Sequence, residues 1–250
     1  MKVIGIIPSR FASTRFPGKP LSMIKGKTMI QRVWEQARKS KLDAVVVATD
    51  DMRIAEEVLK FGGQYVLTDP NLRSGTDRCR EALYVLEEHY DAVVNIQGDE
   101  PFIDPAQINQ VIELIGHDDT QLASLAKRIE DEDELFSPNV VKVVMDKQGN
   151  ALYFSRNPIP FMRNLDHGKW LQKGAFYKHI GLYAYKTDTL CRIAEMQSTA
   201  IEMAESLEQL RWLENGLRVR IGITPYESLS IDTQEDLEKA LQFAQNQLKE

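Results

Sequence analysis

The sequence predicts an α/β protein in which a largely parallel sheet carries an added antiparallel lobe. Up to about residue 115, short apolar runs alternate with amphipathic stretches, the rhythm of βαβ units whose sheet is covered on both faces. Beyond about residue 120 strand-like runs succeed one another, and two of them flank Asp146-Lys147-Gln148-Gly149-Asn150, a hairpin signal. Several apolar runs also end directly in polar turn clusters, and sheets of this class bind ligands beyond the carboxyl ends of their strands.

Val3 to Ile7 is the first buried strand, followed by a loop with prolines at 8, 17 and 20. Thr28 caps a helix whose apolar positions are Ile30, Val33, Trp34 and Ala37. Ala44 to Ala48 is the next strand. Ile54, Val58, Leu59 and Phe61 mark a second helix, stopped by Gly62-Gly63. Tyr65 to Leu67 is a short strand. Ser74-Gly75-Thr76-Asp77 opens a helix that buries Cys79, Ala82, Leu83 and Leu86, and Thr76 suits its cap. Ala92 to Ile96 is a further strand, with a helix near 105–115 after it. Leu122 to Ile129 reads as a strand and the acidic run Glu130 to Glu134 as a solvated turn. Val140 to Met145 pairs with Ala151 to Phe154, and His179 to Tyr185 forms another strand of the antiparallel set. Residues 157–175 carry the weakest pattern and read as a loop or lid. Helices are expected near 187–196 and 201–215, a strand at Arg218 to Thr224, and an amphipathic helix over 233–248. The reading is one domain over residues 1–250, with halves at about 1–120 and 121–250.

Hydrophobic residues make up 43% and charged residues 27%, the balance of a globular protein. A formal net charge of −6 argues against a nucleic-acid partner, which needs a basic stripe. The two cysteines, Cys79 and Cys191, fit neither a disulfide framework nor a metal-ligand spacing. The chain opens on a strand rather than a signal peptide, and no apolar stretch approaches the roughly 18 residues of a membrane span. A cytoplasmic protein without membrane insertion is the expectation.

The loop after the first strand concentrates Arg10, Arg15 and Lys19 in a backbone stiffened by proline. Three cations held near one point suit a polyanion such as a triphosphate; an exposed basic loop is the plain alternative. Neither G-x-x-x-x-G-K-[ST] nor G-x-G-x-x-G occupies this turn, which disfavours a P-loop NTPase and a dinucleotide oxidoreductase. Gln97-Gly98-Asp99-Glu100-Pro101 follows a buried strand, so Asp99 lies near the same crevice. A carboxylate facing a triphosphate suits Mg²⁺, which takes one or two carboxylates with phosphate oxygens and water. Asp232 is a second candidate, though an Asp before a helix also reads as an N-cap. Ser74-Gly75-Thr76-Asp77-Arg78 offers helix N-terminal amides to an acceptor-rich group such as a nucleobase, while Arg78 in the first turn opposes the helix dipole. Glu205 and Gln209, four apart on the expected helix, share a face that is either solvated or functional. His179 reads first as a structural histidine.

Taken together, these motifs resemble the 3-deoxy-manno-octulosonate cytidylyltransferase (CMP-Kdo synthetase) family. The blocks are Ile6 to Leu21, Ala48-Thr49-Asp50, Ser74 to Arg78, Asn95 to Pro101, Val140 to Val144, Ala151 to Arg156, Lys178 to Tyr183, Leu207 to Arg211 and Ile231 to Leu237, in order along nearly the whole chain. The resemblance implies a nucleotide-diphospho-sugar transferase fold, Rossmann-like with a mixed, mostly parallel sheet. It also implies a homodimer and transfer of CMP from CTP to Kdo, with release of diphosphate, for lipopolysaccharide assembly.

Within that resemblance Arg10 and Lys19 grip the triphosphate with Arg15 assisting, and Pro8, Asp50, Ser74, Gly75 and Arg78 complete the nucleotide site. Asp99 and Asp232 hold Mg²⁺, and Lys19, Arg10 and Asp99 carry catalysis. Gln97, Arg156, His179, Tyr185, Glu205 and Gln209 surround the sugar acid. The first half becomes the CTP-binding half, and the second the sugar-binding and dimerisation half. The chain departs from the family pattern at Ser9-Arg10-Phe11, where Ala-Arg-Tyr is commoner, and at Thr233-Gln234, where Thr-Pro is commoner. Rival readings are the same reaction on 8-amino-Kdo or another 2-keto-3-deoxy sugar acid, and a non-catalytic nucleotide sensor. Glu100, intact in its block, favours Kdo; the paired carboxylates argue against the sensor.

Overall fold

The computed structural model describes residues 1–12, 16–227 and 229–247. Arg15 lies outside the described residues. The chain divides into two compact units, Met1–Ile112 with Glu227–Glu250, and Glu113–Tyr226. The C-terminal segment thus groups with the first unit, where the sequence reading put it in the second half.

Unit 1 holds β1 (Val3–Ser9), β2 (Met23–Ile24), β3 (Lys27–Thr28), α1 (Met29–Ala37), β4 (Ala44–Thr49), α2 (Met52–Lys60), β5 (Gln64–Leu67), α3 (Gly75–Leu86), β6 (Ala92–Asn95) and the start of α4 (Pro105–Ile115). Its main sheet runs β6-β1-β4-β5, all parallel. β2 and β3 form a small antiparallel pair. β1 and β4 read as continuous apolar runs because helices cover both their faces: Val3, Ile4, Ile6, Ile7 and Val45 to Ala48 are all buried. Each such aliphatic side chain contributes about 1.5–3 kcal/mol by leaving water.

Thr28 caps α1 as expected, its hydroxyl accepting from Gln31 N at 3.4 Å, and Ile30, Val33 and Ala37 are sealed beneath. Leu59 departs from expectation: α2 turns it outward, 59% exposed. Cys79 is buried on α3. A separate core joins the C-terminal helix (Gln234–Gln247) to the N-terminal region, with Ile231, Leu237 and Ala240 packed on Ile24 and Met29.

Unit 2 holds β7 (Leu122–Arg128), α5 (Glu132–Phe136), β8 (Lys142–Met145), β9 (Ala151–Ser155), α6 (Trp170–Lys173), β10 (Tyr177–Lys186), α7 (Thr187–Ala194), α8 (Ala200–Glu205), α9 (Gln209–Glu214) and β11 (Arg220–Ile223). β7 pairs antiparallel with β10, β10 with β8, and β8 with β9. The hairpin forms where the sequence placed it, with Asp146 accepting from the backbone N–H groups of Gln148 and Asn150 at 2.9 and 2.8 Å. β11 runs parallel to β7, the exception in an otherwise antiparallel set.

Three expectations are corrected here. The acidic run is not a bare turn: Asp131 caps α5, and Glu134 pairs with the buried ammonium of Lys178. Residues 157–175 include α6, where Trp170 is 2% exposed and stacks on Phe176 with ring centroids 5.9 Å apart. The helix expected over 201–215 is two helices broken at Ser206, which sits at φ 52°. The break lets Arg211 fold back on Glu202 in a two-pronged ion pair of 2.9 and 2.7 Å. Nine residues of unbroken helix would hold the two about 13 Å apart along its axis. Glu205 and Gln209 therefore do not share a helix face: Glu205 ends α8 and Gln209 begins α9.

Candidate active site

β1 carries the chain to the carboxyl edge of the parallel sheet of unit 1 and releases Arg10 there. The loop that follows closes on itself, Gly18 N donating to Phe11 O at 3.0 Å. Gly18 has φ 70°, a left-handed geometry that favours glycine, and opens the short 3₁₀ turn Lys19–Leu21 with Pro20 in its first turn. Phe11 is pinned from outside by the Arg53 guanidinium, 3.3 Å from its ring centroid, and Arg53 is itself clamped by Asp51. Lys19 is thereby held at a fixed point, its side chain 15% exposed.

β6 delivers the second component. After Asn95 the chain turns through Gln97, Gly98 and Asp99. A Cβ on Gly98 would lie 2.8 Å from both Pro8 O and Ser9 Oγ, so glycine is required for this turn to press against the end of β1. Asp99 then reaches Lys19, Oδ2 to Nζ 2.7 Å.

Asp232 is brought in by the tail: Ile231 is buried in the cluster with Ile24 and Met29, and its N–H donates to Asp99 O at 2.9 Å. The N-cap alternative for Asp232 is resolved by its neighbours. Thr233 Oγ1 accepts from Asp236 N at 3.1 Å, and Asp236 Oδ2 accepts from Thr233 N at 2.9 Å. Thr233 and Asp236 thus do the capping, and Asp232 Oδ1 lies 3.1 Å from Lys19 Nζ.

α3 supplies the third component. Its cap is Ser74, whose hydroxyl accepts from Asp77 N at 3.1 Å; Thr76, expected as the cap, is buried. Arg78, 3% exposed, is reconciled with its unfavourable place in the first turn by Asp50 at the end of β4, 3.5 Å away, and by donation to Thr68 Oγ1. A Cβ on Gly75 would meet Pro8 and Asn95 only at ordinary distances of 3.6–3.7 Å. Protein packing alone therefore does not call for glycine there.

Pro8, Arg10, Lys19, Ser74, Gly75, Arg78, Gln97, Asp99 and Asp232 line one cavity of about 340 Å³. Asp50 stands behind Arg78 rather than on the wall. The sequence reading missed Arg73, which also faces the cavity; its position directly before the Ser74 block was the available signal. Arg10 has no ion-pair partner among the described residues. Asp99 and Asp232 converge on a single ammonium and border the cavity. Two carboxylates so placed match the donor set Mg²⁺ takes alongside phosphate oxygens and water.

The remaining site residues named from the sequence lie in unit 2. Glu205 accepts from Ser155 Oγ at 2.6 Å and from Arg156 N at 2.9 Å. The Arg156 guanidinium donates to Glu205 O, Pro138 O and Ser206 O at 2.7, 3.0 and 3.3 Å. His179 Nε2 lies 2.9 Å from Ser124 Oγ, whose own proton has the carbonyls of Ile180 and Leu182 as acceptors. Desolvation holds His179 down to a pKa of about 3, so the ring is neutral and Nε2–H donates to the hydroxyl. Gln209 is buried. Tyr185 has no exposed surface and packs edge-on against Trp212, centroids 5.8 Å apart. Its ring is part of the unit 2 core.

The profile of the Cytidylyltransferase family matches residues 4–221. A curated 3-deoxy-manno-octulosonate cytidylyltransferase of Parabacteroides distasonis is 54% identical, over 98% of this chain and 99% of the relative. The chain belongs to the 3-deoxy-manno-octulosonate cytidylyltransferase family. The relative of that name from Thermodesulfovibrio yellowstonii is 49% identical over 96% of this chain and 97% of its own. A solved CMP:2-keto-3-deoxy-manno-octonic acid synthetase in complex with CTP superposes with a TM-score of 0.91 at 38% identity, covering 99% of this chain and 100% of that one. A 4-diphosphocytidyl-2C-methyl-D-erythritol synthase of Anaerococcus prevotii shares the fold alone, with a TM-score of 0.63 at 16% identity. The fold class and family expected from the sequence blocks are those found, and the cytidylyltransferase fold of this chain is that of the nucleotide-diphospho-sugar transferases.

Proposed function

We propose that the chain transfers CMP from CTP to Kdo, releasing diphosphate and forming the activated sugar used in lipopolysaccharide assembly. The observation that carries the reading is the meeting of Lys19, Asp99 and Asp232 at the mouth of a cavity also lined by Arg10, Ser74, Gly75 and Arg78. The curated relatives named above are Kdo cytidylyltransferases, so the 8-amino sugar is not favoured.

CTP occupies this cavity with its base toward the amino end of α3, where Ser74, Gly75 and the braced Arg78 offer donors. Its triphosphate meets Arg10 and Lys19. The anomeric hydroxyl of Kdo attacks the α-phosphorus in line with the departing diphosphate, a reaction in which positioning and charge stabilisation supply most of the rate. Lys19 and Arg10 neutralise charge growing on the phosphate oxygens. Asp99 and Asp232 would hold Mg²⁺, which when bound would template the phosphates and acidify the attacking hydroxyl. Gln97, Arg156, His179, Tyr185, Glu205 and Gln209 are assigned to the sugar acid by family membership. A cytoplasmic homodimer completes the proposal.

Diphosphate release is measured with CTP and, in parallel, Kdo, 8-amino-Kdo, neuraminate or no acceptor. Turnover should be fastest with Kdo and absent without an acceptor. Equal rates across acceptors, or CTP binding with no turnover at all, refute the reading.

A further inference from the structure

Lys142 opens β8 and is wholly buried, yet the structure gives it no carboxylate partner. Its ammonium instead donates to three backbone carbonyls, those of Ser137, Val140 and Arg156, at 2.8, 2.6 and 2.6 Å. Every proton of the ammonium is used, so Lys142 has none left for a ligand. A buried cation balanced only by carbonyl dipoles is costly, and an apolar side chain would satisfy the packing alone. The arrangement needs another reason.

The carbonyls it gathers supply one. Residue 156 is held at its N–H by Glu205 and at its C=O by Lys142, while its guanidinium bonds Pro138, Glu205 and Ser206. Lys142 thereby fixes the residue through which the 137–140 turn and the end of α8 are joined. The cluster of Lys142, Arg156 and Glu205 holds two cations against one carboxylate. Three of the five guanidinium N–H groups of Arg156 are committed, which leaves two for a ligand. Burial lowers the pKa of Lys142, with Glu205 opposing the shift and Arg156 adding to it.

We propose that Lys142 is a positioning residue for the sugar acid: it locks the Ser155–Arg156–Glu205 arrangement and leaves it with one surplus positive charge, which the substrate carboxylate completes. The proposal rests on the assignment of Arg156 and Glu205 to the acceptor sugar. Lys142 acts through Arg156 and touches no substrate.

Lys142→Gln and Lys142→Met are compared with the parent protein, with Lys178→Met as a control that removes another buried ammonium of unit 2. Steady-state kinetics are run with Kdo and with its carboxamide analogue, which keeps the shape and removes the charge. Both Lys142 variants should raise KM for Kdo by about tenfold or more and leave KM for CTP within about twofold. They should also shrink the preference for acid over amide by about fivefold or more, because the surplus charge is gone. Lys178→Met should lower thermal stability without that split. Equal changes in both KM values, or an unchanged acid-to-amide ratio, overturn the proposal. So does failure of both variants to fold, read as loss of the CTP-induced thermal shift, since that assigns Lys142 to the scaffold alone. Absence of Kdo turnover in the parent protein refutes the proposed function instead, and is read independently.

Discussion

Replacing Lys19 by methionine removes the ammonium that joins Asp99 and Asp232 at 2.7 and 3.1 Å. That ammonium occupies the point on which both carboxylates converge, so a divalent cation must compete with it. The strength of the competition follows from exposure. Fully screened pairs are worth up to about 1 kcal/mol each, and pairs at an effective dielectric of about 20 approach 4 kcal/mol. With side chains 15%, 24% and 40% exposed, these two lie nearer the screened end. A combined value of roughly 1.5 kcal/mol corresponds to about tenfold in affinity. Lys19→Met should therefore bind Mn²⁺ about tenfold more tightly than the parent protein in the absence of nucleotide, measured by the free Mn²⁺ paramagnetic signal. The same variant should lose roughly 100- to 1000-fold in kcat with CTP and Kdo, because the ammonium no longer meets the phosphates. Unchanged or weaker Mn²⁺ binding by a folded Lys19→Met protein refutes the shared-point reasoning, and near-normal turnover refutes the catalytic role.

Gly98→Ala puts a methyl 2.8 Å from Pro8 O and Ser9 Oγ; overpacking of this kind costs about 1–3 kcal/mol, visible as a lower urea midpoint with loss of CTP affinity. Arg78→Met leaves Asp50 buried without its cation and should destabilise by about 3 kcal/mol. The double variant Asp50→Asn/Arg78→Met should recover part of that loss, and strict additivity in denaturation would show the pair to be uncoupled. His179, lowered to about 3 in the folded protein, binds protons more readily when unfolded. The stability it contributes is therefore complete above about pH 6.5 and is lost as pH falls toward 3, by about 2 kcal/mol at pH 5. Urea titrations of the parent protein and His179→Gln at pH 5 and pH 8 should show that pH dependence only in the parent.

The strands of unit 1 were legible because both their faces are buried, which writes them as unbroken apolar runs such as Ala44 to Ala48. The charged end of the cavity was legible for a different reason: charges must interrupt such runs at their ends, and Arg10, Lys19 and Asp99 do so. The role of Asp232 could not be separated from capping by its own residue type, because the distinction lies in which side chain Asp236 engages. The break at Ser206 escaped the periodicity because Met203, Leu207 and Leu210 are spaced as for one helix. The pairing of Glu202 with Arg211 that accompanies the break is not written in that spacing. Trp170 and α6 were hidden in residues 157–175, since four helical residues present no repeat to read. Tyr185 alternated as a strand residue should, but alternation does not tell the core face from a ligand-facing one.

The hydrogen bond from Ile231 to Asp99 has a bearing on the order in which the protein is made. Unit 1 is discontinuous, and translation delivers the whole of unit 2 before the segment that finishes the cavity. A chain still on the ribosome, emerged as far as Tyr226, carries Lys19 and Asp99 but has no partner for the second arm of the lysine. The two carboxylates come together only when the segment after Tyr226 packs on Ile24 and Met29 and Ile231 bonds Asp99. Synthesis from the amino end thus presents Lys19 and Asp99 well before Asp232 arrives to close the three-residue contact.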